Sequence, residues 1–381
     1  MEQVYLTLNA GSSNLKYSVY DAQVRHKLTA GKLEFKVSPS DSPDENALSL
    51  AVDRVVALVE NTFGGDCIAA VGHRVVHGGD FYSQPILVDE EVLVRLKTLI
   101  PLAPLHLPAE INAVEIIRQH YPDMAQVVCF DTAFHATQMP LAQWFALPRA
   151  LNEQGVKRYG FHGLSYQYIS TQLACVLQPE HRAKVIVAHL GNGASLCAMQ
   201  DGKSVTTTMG FTALDGLVMG TRCGELDAGV VLHLCQQQGM SLNEVQQLLY
   251  KQSGLLGVSG VSSDMRELER SCKPEALQAR QLFCLRAAQK LAGLIPALNG
   301  LDAIVFCGGI GEHSAATRTM ICDYLAWLGV KLDVHANSVA GAGTQSINRI
   351  HAEGSALGVY VIATNEELMI AQQSAALVSP H

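Results

Sequence analysis

The sequence predicts an α/β fold made of two related halves, and a repeated pattern carries that prediction. Residues 4–20 read as a strand, a small-residue turn and a second strand, because apolar residues alternate on both sides of Gly11. Residues 184–199, KVIVAHLGNGASLCAM, repeat the pattern. Between and after these passages, predicted strands alternate with predicted helices, which is typical of α/β proteins. The repeated hairpin indicates that the two halves are related to each other.

Hydrophobic periodicity and helix-boundary residues place the other elements along the chain. The pattern predicts helices over 48–61, 108–120, 275–298 and 366–378, and strands over 67–76, 126–130 and 360–364. A third strand-to-glycine-turn passage covers 302–314 and leads into a helix. Residues 38–46 read as a surface loop, and 206–229 contain too many glycines for a regular helix.

Composition narrows the class of protein. With 381 residues, 48% of them hydrophobic, the chain is long enough for two domains. A formal net charge of −8 argues against a nucleic-acid partner, and no stretch approaches a membrane span. The ten cysteines include no CxxC pair, and the N-terminus lacks the basic region of a secretory signal, so we expect a cytoplasmic protein with reduced thiols.

Three familiar motifs are present only in incomplete form. Gly202-Lys203-Ser204 resembles the end of a phosphate-binding P-loop, but Cys197 stands where that motif needs a glycine. The 309–314 turn begins like a dinucleotide-binding GxGxxG and has serine at its last position, which leaves an NAD-dependent dehydrogenase as a remote alternative. His73 and His77 have the spacing of a helical zinc pair but lack its glutamate.

Polar residues at the ends of apolar strands are the stronger functional signal. Asn9, Arg74, Asp131 and His189 each end or follow such a strand, where α/β sheets usually bind ligands. Turn formation and capping are the alternative roles for these residues. Arg222 lies among glycines farther along the chain. Two arginines (Arg74 and Arg222), a histidine and several glycine turns suit the handling of a transferring phosphoryl group.

Longer motifs make the prediction specific. Ten blocks, in this order along nearly the whole chain, resemble the acetate kinase family: NAGSSNLKYSV, VGHRVVHGG, APLHLP, FDTAFH, RYGFHGLS, HLGNGAS, MGFTALDGLVMGTRCGELD, SGLLGVSGVSSDMREL, GGIGEHS and TNEELMIA.

The resemblance implies two duplicated domains of the actin, hexokinase and Hsp70 type (ribonuclease H-like), with the active site in the cleft between them. The implied domains are 1–135 with 368–381, and 136–367, the second binding nucleotide and forming the dimer. The implied reaction is reversible transfer of a phosphoryl group between ATP and acetate or another short-chain carboxylate, giving an acyl phosphate and ADP. The implied cofactor is Mg²⁺, with Mn²⁺ as an alternative, and the implied partner is a second copy of the chain.

The resemblance also implies roles for individual residues. Catalysis falls to Asp131, His162, Arg222 and Arg74, the last of which also binds the substrate carboxylate. The apolar pocket for the acyl group would contain Val76, Leu105, Phe161 and Ala213, for which core packing is the alternative. Asn9 and Glu366 would hold Mg²⁺. The nucleotide would contact Lys16, Ser12, His189, Leu190, Gly191, Asn192, Gly193, Asp264, Met265, Arg266, Gly309, Ile310, Gly311, Glu312 and His313.

Several positions depart from the family's usual residues: Asn14, Leu107, Leu164, Tyr166, Ala213 and His313. Ala213 replaces a proline beside the implied acyl pocket. A smaller or less rigid wall there would admit propionate, because one methylene changes discrimination by only about 1–3 kcal/mol. Propionate kinase, or an enzyme that uses both acids, is therefore an alternative. A catalytically inactive nucleotide-binding protein of the same fold is a remote one.

Chemistry constrains the role of Asp131. A carboxylate substrate is already ionised at neutral pH, since such groups have pKa values near about 4. It needs no general base, and the obstacle is repulsion between the acid and the polyphosphate. We therefore expect Asp131 to orient an arginine or the water shell of the metal.

Overall fold

The computed structural model describes residues 3–11, 13–35, 45–177, 184–341 and 346–378. These residues form two compact units. The first contains the described residues up to Ala136 together with those from Asn365 onward, and the second contains those from Thr137 to Thr364.

The strands are β1 (Val4–Ala10), β2 (Asn14–Tyr20), β3 (Lys27–Glu34), β4 (Ile68–Val75), β5 (Ile86–Leu87), β6 (Gln126–Phe130), β7 (Lys184–Leu190), β8 (Ala194–Gln200), β9 (Lys203–Thr207), β10 (Ala303–Cys307), β11 (Ile347–Arg349) and β12 (Gly358–Ile362). The helices are α1 (Glu45–Phe63), α2 (Glu90–Thr98), α3 (Leu107–His120), α4 (Pro140–Gln143), α5 (Arg149–Glu153), α6 (Gly163–Val176), α7 (Ala228–Gln236), α8 (Leu242–Lys251), α9 (Gly254–Ser259), α10 (Met265–Arg270), α11 (Pro274–Leu298), α12 (Gly308–His313), α13 (Ala315–Tyr324), α14 (Val334–Val339) and α15 (Glu366–Val378).

Each unit contains a mixed sheet, and within the described residues each sheet has six strands. The order in the first is β3-β2-β1-β4-β6-β5, and in the second it is β9-β8-β7-β10-β12-β11. In both sheets the first three strands form an antiparallel meander, the third to fifth run parallel, and the last is antiparallel. The shared topology confirms the α/β fold with two duplicated units.

Apolar residues on β1, β2 and β4 pack against α1 and α3 to form a core on one face of the first sheet. On the other face, α15 lies close to β4. Gly72 permits this approach, because a Cβ there would collide with the side chains of Ser374 and Ile370. The close contact fixes α15 against the sheet. This placement also determines the position of Glu366, the first residue of α15.

The predicted elements that fall on described residues agree with the observed ones to within a few residues. The predicted loop at 38–46 lies mostly outside the described residues. Gly202, read as the end of an incomplete P-loop, instead forms a tight turn with Asp201 in the β8–β9 hairpin. Both residues have positive φ, 51° and 75°, as such hairpin turns require. Among the helices of the described residues, none is long and apolar enough to cross a membrane.

Candidate active site

The first unit gathers the predicted charge-handling residues at one edge of its sheet. Asn9 lies near the end of β1, Arg74 near the end of β4, and Asp131 directly after β6. These three strands are parallel neighbours, so their carboxyl ends meet at the same edge. Glu366 belongs to the same cluster through its electrostatic interaction with Arg74 and Asp131.

Asp131 holds the Arg74 guanidinium through both of its oxygens. Arg74 Nε donates to Asp131 Oδ1 at 3.2 Å, and Nη2 donates to Oδ2 at 2.5 Å. The Asp131 side chain is only 1% exposed, whereas that of Arg74 is 19% exposed. On the other side of the guanidinium, Nη1 lies 3.5 Å from Asn9 Oδ1. Two of the five guanidinium N–H groups are thus directed to Asp131, and donors remain for an anionic substrate.

Burial raises the pKa values of two carboxyl groups near Arg74. Burial raises the pKa of Glu110 to about 8, opposed by Arg74 and by a hydrogen bond from the Val76 backbone N–H to Glu110 Oε2 at 2.8 Å. Burial likewise raises the pKa of Glu366 to about 7, again opposed by Arg74. Burial disfavours the charged form of Arg74, but Asp131 and the two glutamates outweigh it and raise its pKa. The cluster therefore has more acidic groups than its single guanidinium neutralises.

This donor set fits Mg²⁺. Asn9 and Glu366, the predicted ligands, supply an amide and a carboxylate oxygen, and the excess of buried carboxyl groups favours a divalent cation. The described residues contain no cluster of three or more His, Cys, Asp or Glu side chains suited to a metal ion. Mg²⁺ does not require one, since it usually keeps several waters and binds through one or two carboxylates and substrate phosphates. Lys16, opposite Asn9 in the β1–β2 register, acts electrostatically on Glu366.

In the second unit, His162, directly before α6, stacks on His189 near the end of β7. The rings of His162 and His189 are 4.3 Å apart with an interplanar angle of 20°. His189 Nδ1 is 2.8 Å from Ser165 Oγ, and that hydroxyl is 2.8 Å from Thr364 Oγ1. His162 Nδ1 is 2.8 Å from Ser195 Oγ. Each ring is thus held through Nδ1 by a serine hydroxyl.

His162 and Arg222 converge above Gly193, in the turn between β7 and β8. A Cβ at position 193 would lie 3.2 Å from His162 Nε2 and 3.9 Å from Arg222 Nη1. The absence of a side chain therefore leaves space beside both groups. Arg222 Nη1 also donates to the Ala213 carbonyl at 3.1 Å, which fixes the guanidinium from behind. A cation and an imidazole at one small opening suit an anionic group with developing charge.

A cavity of about 700 Å³ opens in the second unit near this turn. Most of the residues that line it are predicted nucleotide residues: Gly191, Asn192, Asp264, Met265, Arg266, Gly309, Ile310 and His313. Three lining residues were not predicted: Ser263, Glu269 and Ser314. Hydrogen bonds from Arg266 lower the pKa of Asp264 to about 2, so this carboxylate is ionised. The volume falls within the range of cofactor-sized pockets.

Other predicted nucleotide residues lie away from the cavity lining. Leu190 is fully buried in β7, and Gly311 is buried in α12. Glu312 supports the turn from behind, because its Oε1 accepts from the N–H groups of Gly308 and Thr364. Lys16 belongs to the first unit. Ser12 lies outside the described residues.

The predicted acyl-pocket residues divide between the units. Val76 and Leu105 belong to the first, and Phe161 and Ala213 belong to the second. Val76 and Phe161 are buried at 4% and 2% exposure, whereas Leu105 and Ala213 are partly exposed.

Comparison with known proteins identifies the family. A model of the Acetokinase family matches residues 4–372. The chain belongs to the acetokinase family. An acetate kinase from Rhodopseudomonas palustris is 47% identical, with 98% of each chain covered. Among solved structures, a propionate kinase from Francisella tularensis is 38% identical with a TM-score of 0.88, covering 97% of this chain and 98% of that one. A Porphyromonas gingivalis acetate kinase is 33% identical with a TM-score of 0.88, covering 99% and 100%.

Membership of the acetokinase family confirms the predicted enzyme class, a phosphotransferase with a carboxyl group as acceptor. It also confirms the fold class, which the structural neighbours share. Membership of the family also implies ATP, which is the phosphoryl donor in one direction of the reaction and a product in the other.

Sequence reasoning missed residues that support this acetokinase site from behind. Arg318 is fully buried and donates to the carbonyls of Gly311 and Glu312, at 2.9 and 2.8 Å, and to Asn337. Burial lowers its pKa to about 10. Glu110 was also missed, although an acidic residue on the apolar face of α3 was a usable signal, since buried carboxyls need a partner.

We predict that Glu110→Gln makes stability less dependent on pH. The folded pKa of Glu110, about 8, lies above its unfolded value of about 4.5. Between these values the folded state binds the additional proton, so the free energy of unfolding decreases as pH rises. Glutamine keeps the acceptor for Val76 and does not titrate. Thermal unfolding from pH 5 to pH 8 should show a smaller loss of Tm in the variant, and equal slopes would contradict the prediction.

Proposed function

We propose that this protein is an acetate kinase that catalyses reversible, Mg²⁺-dependent phosphoryl transfer between ATP and acetate, giving acetyl phosphate and ADP by direct in-line transfer. Propionate is the alternative acceptor. We also propose a cytoplasmic location and a homodimer, and that the two compact units correspond to the two domains inferred from the sequence.

The bidentate hold of Asp131 on Arg74 is the observation that carries the proposal. It presents a guanidinium of fixed orientation at the carboxyl end of a sheet, where an anionic acid can bind. The acid is the nucleophile and is already ionised, so it needs a cation to offset repulsion by the triphosphate more than it needs a base. Arg74 meets that need, and Asp131 acts by orienting it.

Asn9 and Glu366 would hold Mg²⁺, which when bound neutralises charge on the phosphate oxygens. Lys16 adds a positive charge to the same cluster. In the second unit, we assign adenosine to the 700 Å³ cavity beside Gly309 and Ile310. His162 and Arg222 would stabilise the transferring phosphoryl group in the opening above Gly193, where its charge develops.

Two known proteins similar to this chain favour different substrate acids. The 47% identical relative is named an acetate kinase, whereas the 38% identical solved structure is a propionate kinase. Ala213, proposed as one wall of the acyl pocket, is a small residue whose carbonyl binds Arg222. A small wall accommodates an extra methylene at little cost, so both acids are reasonable acceptors.

The substrate prediction concerns Arg74→Ala. In the original protein, ADP formation should depend on added acid and should be faster with acetate and propionate than with butyrate. The variant should lose about 100-fold or more in kcat/KM for every acid, as expected when a transition-state donor is removed. A coupled ADP assay with Mg²⁺ measures this.

Arg54→Ala, which removes an exposed arginine of α1, is the matched control and should keep the activity of the original protein. ATP binding without stimulation by any acid would instead support the inactive nucleotide-binding alternative and reject the kinase proposal.

A second prediction separates orientation from base catalysis. Asp131→Asn should lower kcat strongly, because asparagine replaces one of the two acceptor oxygens that hold Arg74 with an amide nitrogen, which donates and cannot accept. The pH profile of kcat/KM should keep its limbs, since no proton leaves the acid. Asp323→Asn, at an exposed aspartate, is the control. If an acidic limb present in the original protein disappears in Asp131→Asn, Asp131 is a base and the orienting role is wrong.

The homodimer proposal is supported by α7. This helix reads AGVVLHLCQ and has no buried residue. Leu232 is 57% exposed, and Val230 and nearby Leu226 are 38% and 39% exposed. A helix so apolar usually packs against another surface. A second copy of the chain is the partner inferred for it.

We predict that Leu232→Glu weakens this dimer, because it places a charge on the apolar surface. Light scattering after gel filtration should give twice the 41.0 kDa chain mass for the original protein and a smaller mass for the variant. Leu50→Glu, at a 70% exposed leucine of α1, is the matched control and should stay dimeric. A monomeric original protein, or a Leu232→Glu dimer of unchanged stability, would reject α7 as the interface.

A further inference from the structure

We propose that Tyr166 is a positioning residue that sets the tautomer of His162 through Ser195. The inference rests on the proposed function for its catalytic consequence, but its structural content can be measured without activity. Tyr166 lies on α6, one turn after His162, and its hydroxyl is 2.5 Å from Ser195 Oγ. The same Ser195 hydroxyl is 2.8 Å from His162 Nδ1. Three side chains thus form one continuous chain of hydrogen bonds.

The chemistry of the groups gives this chain a direction. A phenol is more acidic than an aliphatic alcohol, so the Tyr166 hydroxyl is the better donor and Ser195 Oγ accepts from it. Burial raises the pKa of Tyr166 well above its ordinary value, which keeps the phenol proton in place. Ser195 is fully buried, so its one hydroxyl proton needs an acceptor, and we infer that it donates to His162 Nδ1, which lies 2.8 Å away. His162 then carries its own proton on Nε2.

The Nε2 atom of His162 lies at the opening above Gly193, so the tautomer decides whether a hydrogen-bond donor is present there. A Cβ at Gly193 would lie 3.2 Å from this nitrogen and 3.9 Å from Arg222 Nη1. An Nε2–H therefore presents a donor at the opening to which Arg222 also points. The opposite tautomer would present a lone pair there, which would repel phosphoryl oxygens. Ser195 and Tyr166 are both fully buried and act through His162.

Two further features hold the ring in this orientation. His162 has φ of 59°, a left-handed backbone conformation that is strained for a residue with a side chain. Its ring stacks on that of His189 at 4.3 Å, an arrangement in which two protonated rings would repel each other. A neutral His162 with a fixed proton suits this stack, and it makes the hydroxyl chain the element that selects which nitrogen is protonated.

The direct test is a long-range nitrogen–proton correlation spectrum of the full chain labelled with ¹⁵N-histidine. The chain has 14 histidines, so His162→Gln identifies the signal that belongs to position 162. The expected result is an Nε2–H tautomer in the original protein. In Tyr166→Phe the Ser195 hydroxyl is free to turn and accept from Nδ1–H, so the signal should move toward a mixture of tautomers.

Kinetics give the second readout. Tyr166→Phe should lower kcat by about tenfold, as expected for one hydrogen bond that acts on the transition state, while KM for ATP and for the acid stays nearly constant. Ser195→Ala interrupts the same chain and should lower kcat similarly. The double variant should lose no more than the worse single one, because both remove one interaction. Tyr360→Phe, which removes a phenol hydroxyl from β12, is the matched control.

An Nδ1–H tautomer in the original protein would overturn the proposal. So would an unchanged His162 signal and unchanged kcat in Tyr166→Phe. A loss of kcat that matches a loss of Tm, without change of tautomer, would assign Tyr166 a purely structural role. If no acid stimulates ADP formation, the proposed function fails, yet the spectra still decide whether Tyr166 sets the tautomer.

Discussion

The ion pair between Arg74 and Asp131 is the constraint on which the first unit depends. Asp131 is almost completely buried, and removing the partner of such a charge typically costs about 3–5 kcal/mol. The pair joins the ends of β4 and β6, and burial beside it raises the pKa values of Glu110 and Glu366 although the Arg74 charge opposes the rise. The same excess of acidic oxygens makes the cluster suitable for a divalent cation.

The two units repeat one topology and use it for different chemistry. In the first, the ends of the parallel strands carry an asparagine, an arginine and an aspartate. In the second, the corresponding strand ends carry a histidine and glycine turns that border a cavity. Backbone geometry is therefore shared, while side chains at equivalent positions differ. Such a division suits a reaction with two unlike substrates, because each unit can recognise one of them.

Much of the fold could be predicted because local signals are strong in this chain. Helix α15 begins and ends where periodicity placed it, and β6 matches its predicted bounds. The incomplete P-loop at Gly202 shows the limit of short motifs, since the same letters form a hairpin turn when both flanking segments are strands. Of the site, Arg74 and Asp131 were predictable from their position after apolar strands. Glu110, Ser195 and Arg318 were not assigned, because their roles come from contacts with distant residues.

By itself the sequence determined the α/β class, the duplication and the acetokinase family, since periodicity and long motifs are properties of the chain order. Only the tertiary structure decided which side chains meet. Asp131 contacts Arg74 at a sequence separation of 57, and Tyr166 reaches Ser195 at a separation of 29. Tyr166 appeared in the sequence as a departure from the family's usual residue. Its hydrogen bond to Ser195 depends on how α6 packs against β7, the strand paired with β8, which no local pattern encodes.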